Sequence, residues 1–251
     1  RPIALLKLPP GHRLVHFERI DSTNAEAHRL ADAGERGPLW IWADEQTSGR
    51  GRLGRAWVSE PGNLYVTHLF QSAIEAQQAA QLSFVASIAV YELAASLVPN
   101  ARFYLKWPND VLLDGAKFCG LLAEIVATAP TRVALGCGIN LAHAPKNTPY
   151  PVTSLGSQFT PELVLEKLAI RLSQWLEAWD EGRGFSAIRA AWLERAAGVG
   201  QEVLVDGVAG RFDGIAPDGA LLMTPAGGKQ KSIHAGEVRF AEIEQIRSGN
   251  I

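Results

Sequence analysis

The densest chemistry in this sequence lies in one stretch, Gly49-Arg50-Gly51-Arg52-Leu53-Gly54-Arg55. Glycines let a backbone take positive φ and approach a ligand closely. Successive N–H groups in such a turn form an anion-binding nest. Three arginines add permanent charge with planar, paired donors. The combination suits a phosphate or a carboxylate. An exposed basic loop that binds RNA, or nothing, has the same composition. No Gly-Lys-Ser/Thr follows, which excludes a Walker phosphate loop.

Three further segments carry candidate groups. Lys106-Trp107-Pro108-Asn109-Asp110 ends a predicted strand at a proline-fixed turn and presents a carboxamide and a carboxylate. Asp114-Gly115 is hairpin-turn chemistry, which brings Lys117 back toward them. Such a set can handle an anionic group, a metal and a proton, although an ordinary polar hairpin has the same residues. Gly136-Cys137-Gly138-Ile139-Asn140 closes an apolar run, where glycines let a nucleotide lie against bare backbone and Asn140 supplies a donor and an acceptor. Asp21-Ser22-Thr23-Asn24 reads as a helix start, which caps a helix and also favours anions.

The elements that must position these groups follow from periodicity. Residues 15–20, 39–43, 63–70, 103–107, 111–113, 119–127 and 132–139 read as strands. A helix opens at 21–24 and runs to about Ala33, with Thr23 and Glu26 fitting a capping box and Gly34 the stop. Residues 82–98 form the longest apolar stretch, interrupted by Ser83, Ser87, Tyr91, Glu92 and Ser96, and read as a buried helix. Thr160-Pro161 opens another, with Leu165, Leu168, Leu172, Leu176 and Trp179 at helical spacing. A last helix covers 185–197. After a hinge at 198–200, short β runs alternate with Asp-Gly, Pro-Asp-Gly and Gly-Gly turns, which predicts a small β-barrel-like unit over 201–241. The expected class is therefore α+β: a mixed sheet flanked by helices in a domain over 1–197, with a second, all-β domain over 198–251.

Bulk composition excludes little else. The 251 residues are 47% apolar and 20% charged with a net charge of −2, ordinary for a globular chain and no pointer to nucleic acid or a membrane surface. The two cysteines, Cys119 and Cys137, lack metal-ligand spacing and read as buried small residues; no disulfide is expected. The opening eleven residues are too short and too proline-rich for a secretory signal, so a cytoplasmic location is expected.

Taken together, these segments resemble the biotin–protein ligase family: a Ser-Thr-Asn helix start, a Gly-Arg-Gly-Arg-x-Gly-Arg loop, a Lys-Trp-Pro-Asn-Asp strand end and a later Lys-x-x-Gly, in the family's order from about Phe17 to Asn140. The resemblance implies a class II synthetase-like catalytic domain with a small SH3-like barrel after it. It implies ATP-dependent attachment of biotin to one lysine of a biotin carboxyl carrier protein, through biotinyl-5′-AMP and with Mg²⁺. Ser22, Thr23, Asn24 and Gln46 would hold the ureido ring; Arg50, Gly51, Arg52, Lys117 and Gly120 would complete the biotin site. Arg52, Arg55, Trp57, Lys106, Asn109, Gly136, Ile139 and Asn140 would form the nucleotide side. Lys117, Asp110 and Arg52 would be the catalytic groups, with Asp110 where the acceptor lysine arrives. Metal ligands are not identifiable. The arm before the catalytic segment is too short for the DNA-binding helices that many members carry, so a ligase-only protein, monomeric or a homodimer, is expected. A lipoate–protein ligase of the same fold group and an RNA-binding module are the alternatives.

Overall fold

The structure is a computed structural model and describes residues 6–240. Residues 1–5 and 241–251 lie outside the described residues, and with them the start of the expected N-terminal arm and the end of the expected C-terminal unit.

A seven-stranded sheet forms the body. In chain order its strands are β1 (Arg13–Ile20), β2 (Leu39–Gln46), β3 (Leu64–Gln71), β4 (Phe103–Lys106), β5 (Asp110–Leu113), β6 (Ala116–Thr128) and β7 (Thr131–Ile139). They lie side by side as β1-β2-β3-β7-β6-β5-β4, and only β1 and β2 run parallel. This is the mixed sheet that the pattern predicts.

Side-chain alternation gives the sheet two different faces. Trp40, Trp42, Leu64, Val66, Val133, Leu135 and Ile139 enter the main core with α2 (Gln81–Leu97), α3 (Pro161–Trp179) and α4 (Phe185–Leu193). Leu39, Ile41, Leu69 and Ala134 face the other way, onto Ala27 and Ala31 of α1 (Thr23–Asp32). Residues 76–97 are long and apolar enough to cross a membrane. Here Leu82, Phe84, Val85, Ile88 and Leu93 of that segment are all buried in the main core, as expected of a core helix.

Two boundaries differ from the sequence reading. The cap of α1 is Ser22, not Thr23: its side chain accepts from the Ala25 N–H, while Glu26 turns to Arg29 at 2.6 Å instead of closing a capping box. Thr23 is thereby free for other partners. The helix α4 stops at Leu193, because residues 195–197 leave it to pair with β4.

The C-terminal residues form a second, antiparallel sheet of β8 (Glu202–Val205), β9 (Val208–Ile215), β10 (Leu221–Thr224), β11 (Lys231–Ile233) and β12 (Val238–Phe240), in the order β11-β10-β9-β8-β12. β12 carries only three residues, too few for its alternation to stand out in the sequence. Val203, Phe212, Ile215, Leu221 and Val238 belong to the same apolar cluster as Phe84 and Trp192. The buried Trp107 indole donates to the Gly219 carbonyl at 3.2 Å. One continuous core therefore joins the two sheets across the expected hinge.

On the helical face, His68 is fully buried in a ring stack with Trp40 at 4.3 Å, Phe70 at 5.0 Å and His12 at 5.2 Å. Burial, with the positive charge of His12 second, holds its pKa down to about 3. An unfolded histidine takes up a proton below about pH 6.5, whereas His68 stays neutral. Its contribution to stability is thus complete above that pH and is lost progressively as the pH falls toward 3. The melting temperature should drop by about 5 °C between pH 7 and pH 5. In His68→Phe that drop should shrink; scanning calorimetry of both proteins at the two pH values checks this.

Candidate functional site

The site is a bare patch of sheet. On the α1 face, Gly120, Gly136 and Gly138 of β6 and β7 present backbone where neighbouring positions present side chains, and Gly120 pairs with Gly138. α1 covers only part of this face, so a cavity of about 250 Å³ opens beyond its N-terminus. The floor must be glycine: a Cβ at Gly136 would come within 2.3 Å of Asn24 Oδ1, and one at Gly138 within 2.5 Å of Trp57 Nε1.

One wall is a chain of short polar contacts. Gln46 Oε1 accepts from the Thr23 N–H at 2.9 Å, and Gln46 Nε2 donates to Ser59 Oγ at 2.9 Å. Thr67 Oγ1 lies 2.8 Å from Thr23 Oγ1 and 2.6 Å from Asn24 Oδ1. Asn24 Nδ2 donates to Glu124 at 2.7 Å. Such a wall can orient a planar group that carries both N–H and C=O.

The opposite end is cationic. Lys117 Nζ sits 2.7 Å from Asp110 Oδ1 and lies over the rings of Trp57 and Tyr150, at 5.2 and 5.4 Å from their centroids. Lys106 Nζ is 3.9 Å from the other oxygen of Asp110. Burial alone would push the Lys117 ammonium down, but the charge and hydrogen bond of Asp110 overcome it and hold its pKa above the ordinary value. Lys106 goes the other way, because burial outweighs Asp110 at the longer distance. An anion entering here meets charge that water does not screen.

The arginine–glycine loop roofs this end as a tight hairpin. Gly51 N–H donates to Arg55 O at 2.7 Å and Trp57 N–H to Gly49 O at 2.8 Å. Its glycines serve three different ends. Gly54 takes positive φ; Gly49 is packed so closely that a Cβ would reach Trp57 O at 2.4 Å; Gly51 meets no close contact and is extended. Arg52 reaches down to Asn109 Oδ1 at 3.5 Å, and burial lowers its pKa against the opposing charge of Asp110. Arg55 pairs with Glu237 of the C-terminal sheet at 2.8 Å, a hydrogen bond that raises the pKa of Arg55.

Of the residues singled out from sequence, Ser22, Thr23, Asn24, Gln46, Arg50, Gly51, Arg52, Arg55, Trp57, Lys106, Asn109, Asp110, Lys117, Gly120 and Gly136 all line this one cavity. Two do not. Ile139 follows the alternation of Val133 and Leu135 and is fully buried in the helical core. Asn140 lines the adjoining cleft with Trp57, Tyr150 and Lys146, and its Nδ2 holds Thr153 O at 3.1 Å, which pins the loop after β7. Gly136 and Gly138 are covered by Asn24 and Trp57, so their bare backbone seats protein groups.

Sequence reasoning missed Tyr65, Tyr150, Asp206, Gly236 and Glu237, which also line the cavity. It also missed Thr67 and Glu124 behind the polar wall. Period-two alternation held a signal for the last two, since Glu124 is in phase with Gly120 on β6. Glu237 carried none: tertiary packing of the second sheet brings it in.

No cluster of three or more metal-ligating side chains occurs among the described residues. Asp110, the carboxylate at the centre of the cationic end, is already engaged by two lysines. The residues present therefore form no protein cage for Mg²⁺.

Comparison with known proteins agrees with this geometry. Residues 16–140 match the family model of the biotin/lipoate A/B protein ligase family. The chain is 44% identical over 239 residues to the biotin–[acetyl-CoA-carboxylase] ligase of Paracoccus denitrificans, covering 88% of this chain and 98% of that protein. It is 33% identical over 230 residues to the enzyme of the same name from Mycobacterium tuberculosis, covering 86% and 85%. The fold superposes on biotin protein ligase from Aquifex aeolicus in complex with biotin and ATP with a TM-score of 0.76 and 28% identity, over 90% of this chain and 97% of that one. With 44% identity over nearly the whole of one such ligase on one side and the loop, strand end and lysine hairpin gathered in one cavity on the other, the chain belongs to the biotin–protein ligase family.

Proposed function

We propose that this protein activates biotin with ATP and transfers the biotinyl group to one lysine of a biotin carboxyl carrier protein. The observation that carries the reading is the cavity itself. It joins a wall of oriented amide and hydroxyl groups to a desolvated cluster of Lys117, Lys106 and Arg52 around Asp110. Biotin has the matching ends, a cyclic urea and a carboxylate. A lipoate dithiolane has no hydrogen-bonding group to meet the polar wall, and RNA binding gives no reason for a cavity with oriented amides at one end and buried lysines at the other.

In the first step the biotin carboxylate oxygen attacks the α-phosphorus of ATP; a new P–O bond forms and pyrophosphate leaves. Two anions must approach, and fixed positive charge offsets their repulsion, that of Lys117 foremost, with Arg50 and Arg52 adding a smaller share from the roof. Mg²⁺ would come with the nucleotide phosphates, where it habitually keeps most of its waters. In the second step the acceptor amine, as a free base, attacks the acyl carbon and AMP leaves. Asp110, which lines the cavity beside Lys117, takes the proton in this reading. The second sheet brings Glu237 and Asp206 to the cavity and supplies no reacting group. The protein works in the cytoplasm, as a monomer or homodimer, and DNA has no part in the reaction.

The test is mass spectrometry of a carrier domain incubated with this protein, ATP, Mg²⁺ and biotin. The result expected is one biotinyl group on one lysine, with no product when lipoate replaces biotin. An unmodified carrier would overturn the reading.

Asp110→Asn separates the two steps. The amide keeps the shape but can no longer accept a proton, so transfer to the carrier should slow by about a hundredfold or more. Adenylate formation should slow less, by about tenfold, through the weakened hold on Lys117. Pre-formed adenylate chased with carrier, beside a single-turnover adenylation assay, measures both. Equal loss in the two steps would remove the base role.

A further inference from the structure

We infer that Glu124 and Thr67, neither of which lines the cavity, fix the direction of the protons from Asn24 to Thr23, so that Thr23 Oγ1 meets a ligand only as an acceptor and selects for a ring N–H. The inference deepens the biotin reading and rests on it.

The direction follows from counting hydrogens. Asn24 has one side-chain end near two acceptors, Glu124 at 2.7 Å and Leu122 O at 3.4 Å. That end must be Nδ2, which leaves Oδ1 toward Thr67. Oδ1 cannot donate, so the single hydroxyl proton of Thr67 goes to it across 2.6 Å. The 2.8 Å contact between Thr67 and Thr23 then needs the proton of Thr23. The longer alternative, Thr23 Oγ1 to Gln46 Oε1 at 3.2 Å, would leave two oxygens facing each other with no hydrogen between them.

The far end agrees independently. Ser59 Oγ donates to the Trp57 carbonyl at 2.9 Å, so it accepts from Gln46 Nε2, which turns Gln46 Oε1 to the Thr23 N–H. Both ends of the relay are acceptors that cannot reverse, a carboxylate and a backbone carbonyl. Gly136 completes the device. With no Cβ, it lets the Asn24 amide sit against backbone where any side chain would displace it. The outcome at the cavity is a threonine hydroxyl whose proton is committed elsewhere. A ligand N–H is met by its lone pair; a ligand oxygen at the same place sets a lone pair against a lone pair.

The probes are biotin and its two carbamate analogues, each with one ring N–H replaced by oxygen, with Kd measured by calorimetry. The wild-type protein should bind one of the two analogues about a hundredfold more weakly than biotin, a penalty typical of an unpaired buried polar group next to a mismatched atom. Thr67→Val is nearly isosteric and leaves the Thr23 proton with only the longer contact to Gln46 Oε1, 3.2 Å away, so that it can turn toward a ligand oxygen. In it the ratio should fall to about tenfold or less. Glu124→Leu removes the anchor and should do the same. Glu124→Gln still offers an oxygen to Asn24 and should keep the wild-type ratio. A merely structural role would weaken biotin and analogue by the same factor, so an unchanged ratio in Thr67→Val, with melting behaviour confirming that it is folded, overturns the inference. If the wild-type protein does not bind biotin at all, the biotin reading itself falls.

Discussion

Lys117→Ala is expected to slow formation of biotinyl-adenylate by about a hundredfold or more at saturating ATP and biotin, the scale seen when one preorganised electrostatic stabiliser is lost. Lys117 is held between the faces of Trp57 and Tyr150 and tied to Asp110, so its ammonium is aimed before any ligand arrives. A group that needs no reorganisation contributes its full charge at the moment the carboxylate and the α-phosphate meet. The pKa of Lys117 lies above the ordinary lysine value, with Asp110 overcoming burial. The ammonium therefore stays charged through neutral and mildly alkaline pH, and adenylation should show no alkaline loss from this group between pH 7 and 9. Removing it leaves Asp110 with the more distant charges of Lys106, at 3.9 Å, and Arg52, and adds a poorly balanced carboxylate to a step that already brings two anions together. Lys117→Arg keeps the charge, but its planar head does not match a slot shaped for a compact ammonium. It should recover only part of the rate. Single-turnover adenylation in the three proteins decides: an alanine variant as fast as wild type would end the assignment.

Local signals and tertiary ones divide sharply at this site. The arginine–glycine loop and the hairpin that returns Lys117 to Asp110 were legible, because each is a short segment whose turn residues dictate its shape. The mixed sheet and the core helix were legible for the same reason, as periodicity is a local property. The relay behind the wall was not. Thr67 and Glu124 look like ordinary strand residues, and only the pairing of β3 with β7 and of β7 with β6 puts them within reach of Asn24. Glu237 reaches Arg55 from 182 positions away in the chain, through the packing of a second sheet. Ile139 shows the reverse case. A motif suggests a nucleotide residue, whereas the two-residue period of its own strand points its side chain into the core.

Arg52→Gly is expected to leave adenylate formation largely intact and to speed release of the adenylate by about ten- to a hundredfold, since one charge-assisted hydrogen bond is worth roughly 1.5–3 kcal/mol and about 1.4 kcal/mol is a factor of ten. Arg52 stands at the turn of the roofing hairpin, half-buried, with its head toward Asn109 and the cationic end. It is the part of the roof that can grip a bound phosphate or carboxyl from above. Its neighbours make the grip necessary. Leu53 beside it takes positive φ, an unfavourable conformation for a branched side chain, and is 80% exposed. Little apolar burial therefore holds the roof down. Glycine at position 52 would also give Gly51-Gly-Leu53-Gly54 more freedom to lose on closing, which raises the entropic cost of the closed roof. The Arg55–Glu237 ion pair cannot compensate, because with its arginine half exposed it contributes only about 1 kcal/mol. Lys117 is untouched in this variant, so the chemistry of the first step proceeds while retention fails. Free biotinyl-adenylate acylates any amine it meets. The variant, incubated with ATP, biotin and serum albumin, should label the albumin, and pre-formed adenylate chased with unlabelled ligand should leave it quickly. Wild-type release with unlabelled albumin would return Arg52 to a purely structural place in the loop.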